Sequence, residues 1–184
     1  MHSIIESRTP KPITWGSFNA ISDTHYYICK FHELKDEVPG PVEFCKTIAD
    51  LHTNSWSPNG KFGFHVVTYN GNLPQKNDWK DTWEEFFTSG FERILDINVE
   101  RGGPWEEMEN LRPAMTTKVI PRLLRPLEMN GRTVNPCLVH GDLWCGNTAI
   151  DTVTNTPLIF DPASFYAHNE CKCFISLSFC VAIF

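Results

Sequence analysis

His140-Gly-Asp-Leu-Trp-Cys-Gly-Asn147, followed by Leu158-Ile-Phe-Asp161, is the part of the chain whose reading decides the fold. Residues 137–140 read as a short buried strand that ends at Gly141-Asp142, and residues 148–151 and 157–160 as two strands of a hairpin around a Thr/Asn-rich turn. In that frame Asp142 lies in a loop, Asn147 stands five residues on at the head of the hairpin, and Asp161 follows its second strand. The spacing has a chemical meaning. Phosphoryl transfer asks for a carboxylate that takes or orients the proton of the attacking hydroxyl, and for oxygen ligands that hold magnesium on the nucleotide phosphates. Gly141 and Gly146 suit a backbone that turns sharply around such groups.

Each part alone is weak. His-Gly-Asp occurs in ordinary turns, and Asp142 by itself reads as a turn or cap carboxylate. The three parts in order, with strands flanking them, are specific. His140 reads as a buried histidine bonded to the loop, because Asp142 already fills the acid/base role. Trp144 has two open readings, core packing or stacking on a sugar-like substrate. Cys145 has no charged neighbour to activate it and reads as an inert thiol.

Outward from the motif, 184 residues are one domain or a large piece of one. Six Trp and thirteen Phe argue against disorder, and a net charge of −6 speaks against nucleic acid or an anionic membrane as partner. Seven cysteines, an odd number with no C-x-x-C pair, give neither a disulfide framework nor a zinc site. Residues 1–20 lack the apolar run of a signal peptide, so a cytoplasmic location is expected. Residues 1–14 read as loop and 24–31 as a strand. Gly40-Pro41 opens a helix with Val42, Cys45, Ile48, Ala49 and Leu51 at helical spacing. A second helix is expected from Asn77 or Asp78, with Trp79, Trp83, Phe86, Phe87, Phe91, Ile94 and Leu95 as its apolar stripe. A third starts at Pro104 and carries Met108, Leu111, Met115, Val119, Leu123 and Leu127, kinked or split at Pro113 and Pro121 and stopped by Asn130-Gly131. Residues 174–184 have no charged side chain and are too few to span a bilayer, which needs about 20.

The run His140 to Asn147, with Ile159-Phe-Asp-Pro-Ala-Ser-Phe-Tyr-Ala-His-Asn-Glu170, resembles the signature of the fructosamine/ketosamine (protein-ribulosamine) 3-kinases, relatives of the aminoglycoside phosphotransferases. Asp-Pro-Ala-Ser-Phe-Tyr stands where protein kinases have Asp-Phe-Gly. Gly60-Lys-Phe-Gly-Phe-His65, Gly71-Asn-Leu-Pro74 and Trp83-Glu-Glu-Phe-Phe87 are also similar to that family, so the likeness runs over residues 24–170. It implies an α+β, protein-kinase-like fold, with a mainly helical C-terminal lobe and a small catalytic β-hairpin. It also implies ATP-dependent phosphorylation of the 3-hydroxyl of a ketosamine on lysine, in protein deglycation. ATP and Mg2+ are the implied cofactors, and a glycated lysine, a glycated protein or a small ketosamine the implied partner, with neither nucleic acid nor membrane. Carried over by position, Asp142 is the catalytic base, Asn147 and Asp161 are the magnesium ligands, and Lys30, Phe31 and His32 form the hinge whose backbone meets adenine. Lys30 departs from the Glu usual near that place.

The resemblance divides the chain into residues 1–35, the last strand and hinge of a nucleotide-covering lobe, residues 36–170, the catalytic lobe, and an atypical apolar tail at 171–184. The family continues beyond both ends, so a truncated chain is expected, inactive by itself. Two alternatives stay open: a catalytically inactive kinase lobe or pseudoenzyme, and an aminoglycoside- or choline-type phosphotransferase.

Overall fold

The computed structural model describes residues 1–35 and 37–171; the apolar stretch 174–184 lies outside them. After a 3-10 turn at Glu6–Arg8 come β1 (Pro12–Ser17), β2 (His25–Cys29), β3 (Leu34–Lys35) and α1 (Pro41–Thr53). β4 (Tyr69–Asn70) and β5 (Leu73–Pro74) flank the Gly71-Asn72 turn, and α2 (Trp83–Gly102) and α3 (Glu106–Ala114) follow. A π turn at Met115–Val119 leads into α4 (Ile120–Leu124) and a 3-10 turn at Arg125–Glu128. The chain then returns to extended structure in β6 (Cys137–Val139), β7 (Thr148–Asp151), β8 (Pro157–Ile159) and β9 (Phe165–Ala167). The mix of helices and small antiparallel sheets is the α+β class the sequence implies. Two compact units are present, residues 1–55 with 142–162, and residues 56–141 with 163–171.

In the first unit β3, β7 and β8 form an antiparallel sheet in that order, with Leu34 opposite Asp151 and Ala149 opposite Leu158. Gly40 caps α1 and Pro41 starts it, where a missing N–H costs nothing. Ile48 and Leu51 of α1, Leu158 and Ile159 of β8, and Ile5 are buried, and the Arg8 guanidinium donates to the Thr47 hydroxyl. Val42, at the right spacing but on the first turn, is exposed. The end of the segment expected as loop, residues 12–14, instead begins β1, which pairs with β2 from Thr14 opposite Ile28 to Ser17 opposite His25. Two prolines in residues 1–14 hide this strand, because neither needs its missing N–H at the start of an edge.

In the second unit β6 and β9 pair, with Val139 opposite Phe165. Their inner side chains join Phe62, Trp83 and Phe86 in one core. Phe86 meets Phe165 at 5.4 Å and Phe62 meets Trp83 at 5.7 Å between ring centres. Such ring pairs add roughly 0.5–1.5 kcal/mol each beyond the area they bury.

The start of α2 corrects the expectation. Thr82, not Asn77 or Asp78, caps the helix by accepting from the Glu85 N–H. Asn77 is buried and donates instead to the Thr68 hydroxyl and the Val66 carbonyl. Lys80 bridges to Phe62 in extended form, which leaves Trp79 ahead of the helix. The third helix is split near its prolines, as expected, but its stripe is displaced. Leu111, Val119 and Leu123 are exposed, whereas Ile120 is buried and Leu124 lies against the core, beside Leu127, which does so as expected. The π turn explains the shift from Val119 and Leu123 to Ile120 and Leu124, though not the exposure of Leu111, which precedes it. The Ile120 N–H reaches back to the Met115 carbonyl, and the added residue rotates everything after it on the helix face.

Candidate active site

The turn into the site begins at Gly141, where φ is 82° and a Cβ would lie 2.1 Å from the Ala163 carbonyl oxygen. Only glycine fits both the left-handed backbone and the contact. Beyond it Asp142, half-buried, and Asn147, buried, close a compact loop. The Asn147 side-chain amide donates to the Asp142 carbonyl at 2.7 Å and to its carboxylate Oδ2 at 3.1 Å. It also approaches the Asp161 carbonyl at 3.5 Å, and the Phe160 N–H donates to the Asn147 carbonyl at 3.1 Å. The end of β8 is thereby held against the start of β7, and Asp142, Asn147 and Asp161 come together.

With its nitrogen so occupied, Asn147 has Oδ1 left, and no donor among the described residues reaches it. Asp161 is exposed, its carboxylate is likewise without a hydrogen-bond partner among the described residues, and its backbone is left-handed at φ 55°. A short polar residue such as Asp tolerates that conformation at a turn, as Asp23, Asn130 and Asn155 do elsewhere in the chain. An amide oxygen and a carboxylate, with no thiol or imidazole, suit a hard cation such as Mg2+, which takes one or two carboxylates and keeps water for the rest. No group of three His, Cys, Asp or Glu side chains that could hold a metal ion occurs among the described residues.

Lys30, Phe31 and His32 stand apart from this cluster, just ahead of β3. The Lys30 N–H is bonded to the Lys11 carbonyl at 2.8 Å, while the N–H groups of Phe31 and His32 meet no acceptor among the described residues. The Phe31 ring is 82% exposed. His32 Nδ1 lies 2.5 Å from Asp151 Oδ2. Asp151 is buried, and its other oxygen accepts from the N–H groups of Val153 and Thr154 and from the Thr154 hydroxyl. His32 first, and then these turn donors, hold the Asp151 carboxyl well below the ordinary carboxylate range.

Of the neighbouring side chains, His140 is buried, as expected. Trp144 is 49% exposed, which rules out the core reading and leaves its ring beside Gly146 at the mouth of the loop. Cys29, Cys45, Cys137, Cys145 and Cys171 are free thiols. Sequence reasoning missed Asp151. Its signal was local, an Asp with Thr three residues on, the pattern of an Asx turn. The engagement of His32 by that carboxylate left no such signal. Among the described residues no helix is long and apolar enough to cross a membrane.

The fructosamine kinase family profile matches residues 1–180. Ketosamine-3-kinase of Mus musculus is 47% identical over 113 residues, 60% of this chain and 33% of the mouse protein. The chloroplastic protein-ribulosamine 3-kinase of Oryza sativa subsp. japonica is 30% identical over 190 residues, 98% of this chain and 49% of the rice protein. The crystal structure of a candidate fructosamine-3-kinase from Haemophilus somnus 129PT superposes with a TM-score of 0.67 at 20% identity, covering 92% of this chain and 54% of that one, which shows a shared fold. The chain thus spans about half the length of the rice protein and a third of the mouse protein. With a family profile matched from residue 1 to residue 180, the chain belongs to the fructosamine kinase family.

Proposed function

We propose that the protein carrying these residues is an ATP-dependent kinase that phosphorylates the 3-hydroxyl of ketosamines, fructosyl or ribulosyl adducts on lysine, and so acts in deglycation. The observation that carries the reading is the hydrogen-bonded loop in which Asn147 orients the Asp142 carboxylate while Asn147 Oδ1 and the Asp161 carboxylate remain for a cation. Asp142 accepts the proton of the sugar hydroxyl as its oxygen bonds to the γ-phosphorus of ATP; the bond from that phosphorus to the bridging oxygen breaks and ADP leaves with the electron pair. Bound at Asn147 and Asp161, Mg2+ supplies neutralising charge on the phosphates. The backbone N–H of Phe31 and of His32 are the hinge donors offered to adenine, and Trp144 is placed to stack on the sugar.

The names of the mouse and rice relatives favour a ketosamine over an aminoglycoside or choline. The test is transfer of labelled phosphate from ATP to ribulosyl-lysine and fructosyl-lysine. The full-length protein that carries these residues is expected to label one or both, residues 1–184 alone neither, and Asp142→Asn in the full-length protein to lower kcat by at least about 100-fold through loss of the base. Transfer undiminished in Asp142→Asn contradicts the assignment. Transfer to an aminoglycoside or choline alone, or Mg-ATP binding without transfer to any acceptor, moves the reading to one of the two alternatives.

A further inference from the structure

Asn147 directly precedes β7 and Asp161 follows β8 by two residues, so both candidate cation ligands stand at one end of the hairpin. Asp151 closes the other end of β7. An antiparallel strand rises about 3.4 Å per residue, which separates Asn147 from Asp151 by about 14 Å. That is comparable with the reach of an extended nucleoside triphosphate. Opposite Asp151 lies Leu34 of β3, and two residues ahead of Leu34 is His32.

β3 is only two residues long, too short for its own ladder to fix its register firmly. Other contacts do so. The Thr152 N–H donates to the Glu33 carbonyl at 2.9 Å, and Lys35 Nζ to Asn155 Oδ1 at 2.9 Å. The shortest and most buried is His32 to Asp151 at 2.5 Å. An ionised carboxylate only accepts, so Nδ1 carries the proton and donates. Because the second oxygen of Asp151 holds the hairpin turn, one carboxylate ties the hinge to the strand that ends at the cation ligands.

We infer that His32–Asp151 is a positioning pair that sets the distance between the hinge backbone at Phe31 and His32 and the Asn147/Asp161 end of the hairpin, so that a metal–nucleotide complex engages both ends at once. The inference rests on the nucleotide reading proposed above and adds a residue pair to it. Loss of the pair leaves each end intact and uncouples them. A ligand that touches only the hinge senses the change less than a ligand that spans the hairpin.

The experiment measures dissociation constants of adenosine and of Mg-ATP, with thermal unfolding, for the unsubstituted protein, His32→Leu and His32→Asn. Asparagine places an amide N–H near the position of Nδ1. His32→Leu is expected to weaken Mg-ATP by at least about tenfold, the worth of one charge-assisted hydrogen bond, and adenosine by a clearly smaller factor. His32→Asn recovers most of the Mg-ATP affinity. Equal weakening of both ligands, or unchanged Mg-ATP affinity with only a lower melting temperature, overturns the pair as a positioning contact. Should His32→Leu fail to fold, Asp151→Asn, which keeps an oxygen for the turn, gives the same comparison. Absence of Mg-ATP binding by the unsubstituted protein overturns the nucleotide reading and the inference with it.

Discussion

Asp161 and Gly141 share a left-handed backbone, for different reasons. At Asp161 the conformation turns the chain directly after β8, and the local polar side chain makes αL tolerable. At Gly141 a Cβ would also meet the Ala163 carbonyl, its carbon as near as 2.7 Å. Gly131 has a similar φ of 79°, but nothing lies within 4 Å of its Cβ position. Gly131→Ala is therefore expected to cost about 1–2 kcal/mol, the backbone penalty alone. Gly141→Ala adds overpacking against backbone and is expected to cost roughly 2–5 kcal/mol. Denaturant unfolding of the two variants checks the order, and equal losses contradict it. Asp151 gives a pH signature. Its folded pKa is depressed from the ordinary 3.8, so its contribution to stability is complete above that value and is lost as pH falls below it. Melting temperatures from pH 5 down to pH 2 should fall less steeply in Asp151→Asn than in the unsubstituted protein.

Among the elements, α2 shows most clearly how a helix start is chosen. Thr82 caps it, Glu84 and Glu85 sit on its first turn, and the Glu128 carboxylate accepts from the Trp83 N–H at 2.8 Å. Thr82→Ala is expected to destabilise by about 1 kcal/mol, read from thermal unfolding, and Asp78→Ala to do far less. Asn77 and Asp78 were equally caps by composition; packing took the Asn77 side chain for Thr68 and Val66 instead. The same physics limits how much the sequence discloses. The β7–β8 hairpin was legible because its strands are bounded by Gly146-Asn147 and a Thr/Asn turn, and the spacing of Asp142 and Asn147 was legible with it. The stripe of the third helix was not, since a π turn changes the period without changing composition. β1 was not, since it needs β2 as partner. The tie from His32 to Asp151 joins residues 119 apart, and no local pattern announces such a contact.

At the scale of the molecule, the β1–β2 hairpin leaves Ile13, Trp15, Tyr27 and Ile28 exposed. An isolated two-stranded hairpin with apolar side chains in water is marginal and attracts other apolar surface. The chain is expected to bind a hydrophobic dye strongly, and the double variant Trp15→Lys, Tyr27→Lys to bind it at a clearly lower level. The central claim, however, concerns Asp142, Asn147 and Asp161, brought together at one end of the β7–β8 hairpin. Paramagnetic resonance of Mn2+, as a stand-in for Mg2+, tests them directly. In the presence of ATP the protein should remove free Mn2+ signal beyond what ATP alone removes, at micromolar to millimolar metal. Asp161→Asn should weaken this by at least about tenfold, and Asn147→Ala by a comparable factor, while Asp142→Asn retains it. Nucleotide-dependent Mn2+ binding that is indifferent to Asp161 and Asn147 contradicts the account.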